Sequence, residues 1–498
     1  MLELVDLTKS LPDEVYESVF PDLEIRLGRI QRAAREAGVP VILVFEGWDA
    51  SGKGTAINRL AQALDPRGFK VHPIREATTM ERRHPWLWRF WNATPAAGQW
   101  AIFDRSWYGR VLADRISETV GKKDRRQAFE DIQAFERQLS EGGAVIVKFW
   151  LHIGRSEQKR RFRILESNEA TAWKVGKVER HQHRHYDLWR RAVEDMLERT
   201  SPAYARWTVV EATQSRFARV KIFETLIHAV QTELDRRVAH PLAAGKPMPV
   251  PKQSPTGRHG LLDRLDLGLT LESGDYEKQL DRWQRRLFDL ENRLYVARIP
   301  AVIVYEGQDA GGKGGNIRRL TRGMDPRGYE VVPVAAPTTE EKDHHYLWRF
   351  WKNVPRTGHI TVFDRSWYGR VLVERVEGFC TRDEWRRAYR EINEFERQLT
   401  DSGVIIIKFW LQISRDEQLR RFKDRQETPF KEWKITAEDW RNRDKWRQYK
   451  VCVEEMLQQT STSAAPWIIL EANCKLYARI KALKTVAAAM EAALRKRE

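Results

Sequence analysis

Cysteine is almost missing: three residues in 498, Cys380, Cys452 and Cys474, all in the second half of the chain. An odd count without metal-ligand spacing excludes a disulfide framework and a thiolate metal site, and predicts reduced thiols in a cytoplasmic protein. Long apolar runs are missing too. A bilayer-spanning helix needs about 20 apolar residues; no stretch approaches that, so no membrane partner is expected. The opening Met1-Leu-Glu-Leu-Val-Asp-Leu-Thr-Lys-Ser10 lacks a basic segment followed by an apolar core, so no signal peptide is expected. Negative charge is in deficit: 70 acidic residues face 87 lysines and arginines, for a net +17. That balance favours polyanionic partners, and nucleic acid, an acidic surface or a chain of inorganic phosphate would satisfy it equally. Recognised nucleic-acid-binding motifs are absent, so no nucleic-acid partner is expected.

What is present is a duplication. Phe45-Glu-Gly-Trp-Asp-Ala-Ser-Gly-Lys-Gly54 returns as Tyr305 to Gly314, with Lys53 and Lys313 standing 260 positions apart. In the same register Asp65-Pro-Arg-Gly68 returns as Asp325 to Gly328, and Phe103-Asp-Arg-Ser-Trp-Tyr-Gly-Arg110 as Phe363 to Arg370. Lys148-Phe-Trp-Leu151 and Trp173-Lys174 return as Lys408 to Leu411 and Trp433-Lys434. So long a period marks duplicated domains, not a solenoid. Between the copies, His240 to Pro255 is proline-rich and without apolar periodicity, which predicts a semi-extended linker. The expected division is a first domain over 1–238, a linker over 239–260 and a second domain over 261–498.

Each copy alternates apolar strands with helices. Helical lead-ins are predicted over 22–36 and 276–297, the next strand at 301–304 in the second copy, and further strands over 69–74 and 329–334. Trp- and Arg-rich helices are predicted over Pro85–Trp91 and His345–Trp351, packing their aromatics in the core, followed by strands ending at Asp104 and Asp364. Helices over 125–140 and 382–400 lead to the apolar runs 144–147 and 404–407, then a basic helix and last strands at 207–210 and 467–470. This is an α/β pattern: a P-loop kinase-like three-layer α/β/α arrangement on a parallel sheet, duplicated in tandem, with a helical lid. Ligands should bind at the carboxyl ends of the strands.

The chemistry concentrates in three stretches. In Tyr305-Glu-Gly-Gln-Asp-Ala-Gly-Gly-Lys-Gly-Gly315, Gly307, Gly312 and Lys313 fit G-x-x-x-x-G-K between a buried strand and a helix. Glycines let successive N–H groups turn to one anion, the helix N-terminus adds its positive end, and the lysine adds a full charge. Gly47, Gly52 and Lys53 repeat the pattern. An ordinary P-loop has a Mg²⁺-holding Ser or Thr after the lysine; here Gly314 stands there, and an aspartate, Asp309 or Asp49, lies inside the loop. Next, an apolar strand ends at Asp364, a Walker-B-like carboxylate able to hold Mg²⁺, with Asp104 as its match; Arg365 and Arg370 follow, able to clamp phosphate oxygens bidentately. Third, Arg421 and Arg425 lie four apart on one helical face with Lys431 and Lys434 beyond, the composition of a basic lid that excludes water.

Together Glu306-Gly-x-Asp-Ala-x-Gly-Lys-Gly314, Asp325-Pro-Arg-Gly328, Phe363-Asp-Arg-Ser-Trp-Tyr368, Glu394-Phe-Glu-Arg397 and Trp433-Lys434 resemble the polyphosphate kinase 2 family, in its two-domain branch. The resemblance covers nearly the whole chain apart from termini and linker. It implies a P-loop kinase fold, Mg²⁺ dependence, and transfer of a terminal phosphoryl from inorganic polyphosphate to AMP. It also implies that Asp309 orients the acceptor phosphate or a metal ion, that Lys313 and the arginines hold phosphates, and that Asp364 anchors Mg²⁺. Single-domain members often have Asn where Gly369 and Gly109 stand. By analogy a homodimer or higher homo-oligomer is expected. Rival readings are transfer to ADP, making ATP, and an ATP-dependent nucleotide or nucleoside kinase. The copies are unequal: Leu165, Thr171 and His183 stand where the second copy has Arg425, Lys431 and Arg443, Glu169 replaces Pro429, and Glu76-Ala77 replaces Ala336-Pro337. The second copy is therefore expected to do the chemistry.

Overall fold

The computed structural model describes every residue except 118–120, 242, 252–259, 429–434 and 498. The chain forms two compact units. One gathers Met1–Ala77, Arg89–Leu242 and Thr338–His345; the other gathers Thr78–Trp88, Ala243–Pro337 and Tyr346–Glu498. Each unit thus includes a short segment from the other half of the sequence, and the described part of the proline-rich stretch from Ala243, residues 243–251, belongs to the second. There the Met248 N–H donates to the Val376 carbonyl and the Met248 sulfur lies 3.5 Å from the Cys452 thiol.

The first unit is built on β1 (Val41–Gly47), β2 (Phe69–Pro73), β3 (Trp100–Asp104), β4 (Val145–His152) and β5 (Trp207–Glu211). The second uses β6 (Ala301–Gly307), β7 (Tyr329–Pro333), β8 (Ile360–Asp364), β9 (Ile405–Gln412) and β10 (Trp467–Glu471). Each is a five-stranded sheet, in the orders β2-β3-β1-β4-β5 and β7-β8-β6-β9-β10, and each pair of neighbouring strands is parallel. The glycine loop therefore leaves the central strand of each sheet. β6 reads Ala-Val-Ile-Val-Tyr-Glu-Gly and is buried along nearly its whole length, as a strand covered by helices on both faces must be. In the second unit Leu287, Leu290 and Leu294 of the helix Ser273–Ala297, and Leu483, Val486 and Met490 of the helix Lys475–Arg495, join Ile303, Phe409 and Leu411 in one core.

Several predicted elements change. The first lead-in helix begins at Asp13, nine residues before the predicted start, and the basic helix predicted before the last strand is divided into several, Arg155–Glu166 first among them in the first unit. The Trp- and Arg-rich helices shrink to Trp88–Trp91 and Trp348–Trp351, with Phe90, Trp91, Phe350 and Trp351 buried. The four-residue turns serve to plant aromatics in the core, which needs no longer helix. The runs predicted to end at 147 and 407 continue to His152 and Gln412 through Lys148 and Lys408, each wholly buried inside a strand. A lysine normally ends a buried run; here it does not, because a carboxylate waits for it.

Candidate active site

In the second unit β6 hands the chain to the loop at Gly307, whose φ is +152°. A side chain there would place Cβ 2.8 Å from Leu411 Cβ and 2.8 Å from its carbonyl oxygen, so this glycine lets the loop lie flat on β9. Gly312, at φ +107°, caps the helix Lys313–Thr321, and Ala310 is also left-handed at φ +60°. Lys313 folds across its own loop, donating to the Gly307 carbonyl at 2.7 Å and the Gln308 carbonyl at 3.4 Å. A Cβ on Gly314 would meet nothing within 4 Å.

Parallel register sets Tyr305 of β6 opposite Asp364 of β8, which brings the second motif beside the loop. Arg365 follows in left-handed conformation at φ +66°, its N–H on the Tyr305 carbonyl and its guanidinium 3.2 Å from Asp309 Oδ1. The other Asp309 oxygen accepts from Asn442 at 2.8 Å, while Gln418 donates to the Asp309 carbonyl at 3.1 Å and is itself held by Arg443 at 3.2 Å. Glu306, buried beneath the loop, accepts from Ser366 at 2.7 Å; burial pushes its carboxyl up, against that hydrogen bond and the charges of Lys313 and Arg365. The Asp364 carboxylate makes no hydrogen bond or ion pair among the described residues and is half-buried at the strand end. No group of three His, Cys, Asp or Glu side chains gathers as a metal site among the described residues. Mg²⁺ beside phosphates takes one or two carboxylates and fills its octahedron with waters and phosphate oxygens; Asp364 fits it, and Asp309, whose two oxygens each accept one hydrogen bond, keeps lone pairs for it as well.

The predicted lid arginines separate. Arg421 is 3% exposed, and its five N–H positions meet Glu417 and the carbonyls of Ala310, Gly311, Ala472 and Asn473. It buttresses the loop from behind, and no donor is left to clamp a phosphate. Arg161 repeats this with the carbonyls of Ala50, Ala212 and Thr213. Arg370 turns to Glu374 at 3.1 Å and Glu384 at 3.7 Å, under the Tyr346 ring. Arg425 is half-buried on the helix Arg415–Glu427; Lys431 and Lys434 lie outside the described residues.

The site also has parts that sequence reasoning gave no role. Lys408 Nζ donates to Glu396 at 2.7 Å, to the Tyr368 hydroxyl at 2.9 Å and to the Thr460 carbonyl at 2.7 Å; Trp367 and Tyr368 both donate to Glu396. Three acceptors for three ammonium protons make the burial tolerable. The Trp-Tyr of the second motif is thus an anchor that fixes the Asp364–Arg365 turn. Lys148, Glu136, Tyr108 and Thr200 repeat it. The available signal was a lysine recurring inside the same apolar run of both copies. The second part is a cleft opening beside Asp309 and Arg365, walled by Leu372, Val373, Trp410, Trp446 and Tyr449. These residues lie far apart in sequence, so no motif could announce the cleft.

The loop of the first unit has the same construction: Lys53 folds onto the Gly47 and Trp48 carbonyls, and Arg105 reaches Asp49 at 3.1 Å. His183 holds Gln158 as Arg443 holds Gln418, so that exchange preserves a contact. A different exchange matters. Gln182, at the place of Asn442, accepts from the Asp49 backbone N–H and leaves the Asp49 carboxylate to Arg105.

The polyphosphate kinase 2 family model matches residues 10–238 and again 270–498. The chain belongs to the polyphosphate kinase 2 family. A polyphosphate:AMP phosphotransferase of Pseudomonas aeruginosa is 41% identical over 497 residues, covering 100% of both chains. One of Pseudomonas syringae pv. tomato is 40% identical over 496 residues, 99% of each. A solved polyphosphate kinase 2 structure from Pseudomonas aeruginosa covers 100% of both chains with a TM-score of 0.88 and 39% identity. The fold expected from the alternating strands is therefore that of the polyphosphate kinase 2 family, in tandem, and the chain is a phosphotransferase. No helix among the described residues is long and apolar enough to cross a membrane.

Proposed function

We propose that the chain transfers the terminal phosphoryl of inorganic polyphosphate to AMP, giving ADP, and that the second unit carries the reaction. The observation that bears most weight is the union, in that unit, of a phosphate-binding loop with an aromatic-walled cleft meeting at Asp309 and Arg365. A cradle for phosphates joined to a slot for a flat base suits a nucleotide. Full-length relatives named polyphosphate:AMP phosphotransferase support the same acceptor. The AMP phosphate is already ionised near neutral pH, so one of its oxygens attacks the terminal phosphorus without a general base, while the bridging P–O bond to the shortened polyphosphate breaks. Lys313 swings from its loop carbonyls to the phosphates, Arg365 meets the transferring charge, and Asp309 with Asn442 holds Arg365 in place. Mg²⁺ would be held by Asp364; when bound it neutralises charge on the donor phosphates.

A matched assay tests the reading, with AMP, ADP or neither as acceptor and polyphosphate or ATP as donor. ADP from AMP and polyphosphate is expected. ATP formed from ADP would move the acceptor, and transfer from ATP alone would discard polyphosphate as donor. Lys313→Ala should lower kcat about 100-fold or more and Lys53→Ala less than about tenfold; equal losses would end the asymmetry. A cytoplasmic location belongs to the same proposal and is supported by cysteines that are all free thiols. Self-association as a homodimer rests on analogy, and sedimentation velocity decides it.

A further inference from the structure

Trp48 stands in the first unit where the second has Gln308. Gln308 lines the aromatic cleft with Trp410 and Trp446. The matching side chains of the first unit, Trp150 and Tyr186, instead close on the Trp48 indole. Tyr186 stacks on it at 4.0 Å between ring centroids with 16° between planes, and Trp150 meets it edge-on at 5.8 Å. Trp48 is 0% exposed, and its indole N–H donates to His152 Nδ1 at 2.9 Å. His152 in turn replaces Gln412, which in the second unit takes the Trp410 indole N–H at 2.8 Å. Three positions have thus changed together, and the result is a filled, hydrogen-bonded space where the second unit keeps room for a base.

The phosphate side of the first unit is built differently from a closed relic. An open groove runs past the loop, lined by Ser51, Lys53, Arg75, Asp104, Arg105 and Lys174. Ser51 is 2% exposed, and its hydroxyl has no hydrogen-bond partner although it lines this groove. A buried hydroxyl without a partner costs stability unless something completes it, and a phosphate oxygen is the acceptor that the surrounding lysines and arginines would attract. The Asp104 carboxylate takes part in no hydrogen bond or ion pair among the described residues, and neither does that of Asp364.

We infer that the first unit is a binding site for inorganic oligophosphate that takes no nucleoside, with Trp48 as the residue that excludes the base. The inference rests on reading the P-loops as phosphate cradles, and under it the first unit holds the anionic chain without consuming it.

Calorimetric titration of the full chain with inorganic tripolyphosphate, and separately with AMP, tests this. Two equivalents of tripolyphosphate and one of AMP are expected per chain. Lys53→Ala should remove one tripolyphosphate equivalent and leave the AMP count at one; Lys313→Ala should remove the other. Trp48→Gln, His152→Gln and Tyr186→Trp combined, which restore the second unit's residues, should raise the AMP count towards two. One tripolyphosphate equivalent in the unsubstituted chain, lost only in Lys313→Ala, would overturn the inference and leave the proposed reaction standing. An unsubstituted chain that binds two AMP would overturn the role of Trp48. Should the triple variant fail to fold, the Lys53→Ala titration still decides. Tripolyphosphate binding untouched by either lysine variant would instead remove the phosphate-cradle reading from both units.

Discussion

Gly307 and Gly314 belong to one short motif and do opposite work. At Gly307 the φ of +152° and the 2.8 Å approach to Leu411 leave no space for a side chain, while the Cβ position of Gly314 is open. Gly307→Ala is therefore expected to cost about 2–3 kcal/mol of stability from the collision and the strained φ, and Gly314→Ser less than about 1 kcal/mol. Urea unfolding of the two variants side by side checks this. The same scale shows how misleading a residue type can be. Arg421 and Arg365 are both arginines beside the loop, yet Arg421 is saturated by carbonyls and one carboxylate while Arg365 is 44% exposed at the mouth of the cleft. Side-chain chemistry was legible in the sequence; which hydrogen bonds were already taken was not.

Between elements, the Lys408–Glu396 pair ties β9 to the helix Arg382–Asp401, and through Tyr368 to the turn that carries Asp364 and Arg365. Removing one partner strands the other charge in the core. Lys408→Met is expected to destabilise the second unit by about 3–5 kcal/mol, and the double variant Lys408→Met with Glu396→Met should recover much of that, since a buried pair is often replaceable by apolar packing. Denaturant unfolding followed by tryptophan fluorescence is the measurement. A smaller loss in the single variant than in the double would refute the pairing. The helix Arg382–Asp401 starts where its sequence says it should, at the Thr381/Glu384 capping box.

For the whole molecule the net charge of +17 is the dominant long-range property. A polyphosphate chain carries about one negative charge per phosphate, so its capture should weaken with ionic strength, whereas the cleft proposed for AMP has partly apolar walls. The KM for polyphosphate is expected to rise about tenfold or more between about 50 and 300 mM salt, with a much smaller change for AMP. Steady-state kinetics at fixed Mg²⁺ check it; parallel changes for both substrates would place the charge effect elsewhere.

Duplication, strand–helix alternation, the loop with Lys313 and the strand ending at Asp364 could all be read from the chain alone. They depend on local spacing and on the period of burial, which a linear sequence carries directly. Tertiary structure decided what the spacing could not: that Arg421 supports the loop from behind, that Lys408 can sit inside a strand, that each unit takes in a short segment from the other half of the sequence, and that Trp48 fills a cleft which Gln308 leaves open. Each of these turns on a partner far away along the chain. A side chain's role is set by whether its hydrogen bonds and its volume are already matched, and only the folded arrangement supplies those matches.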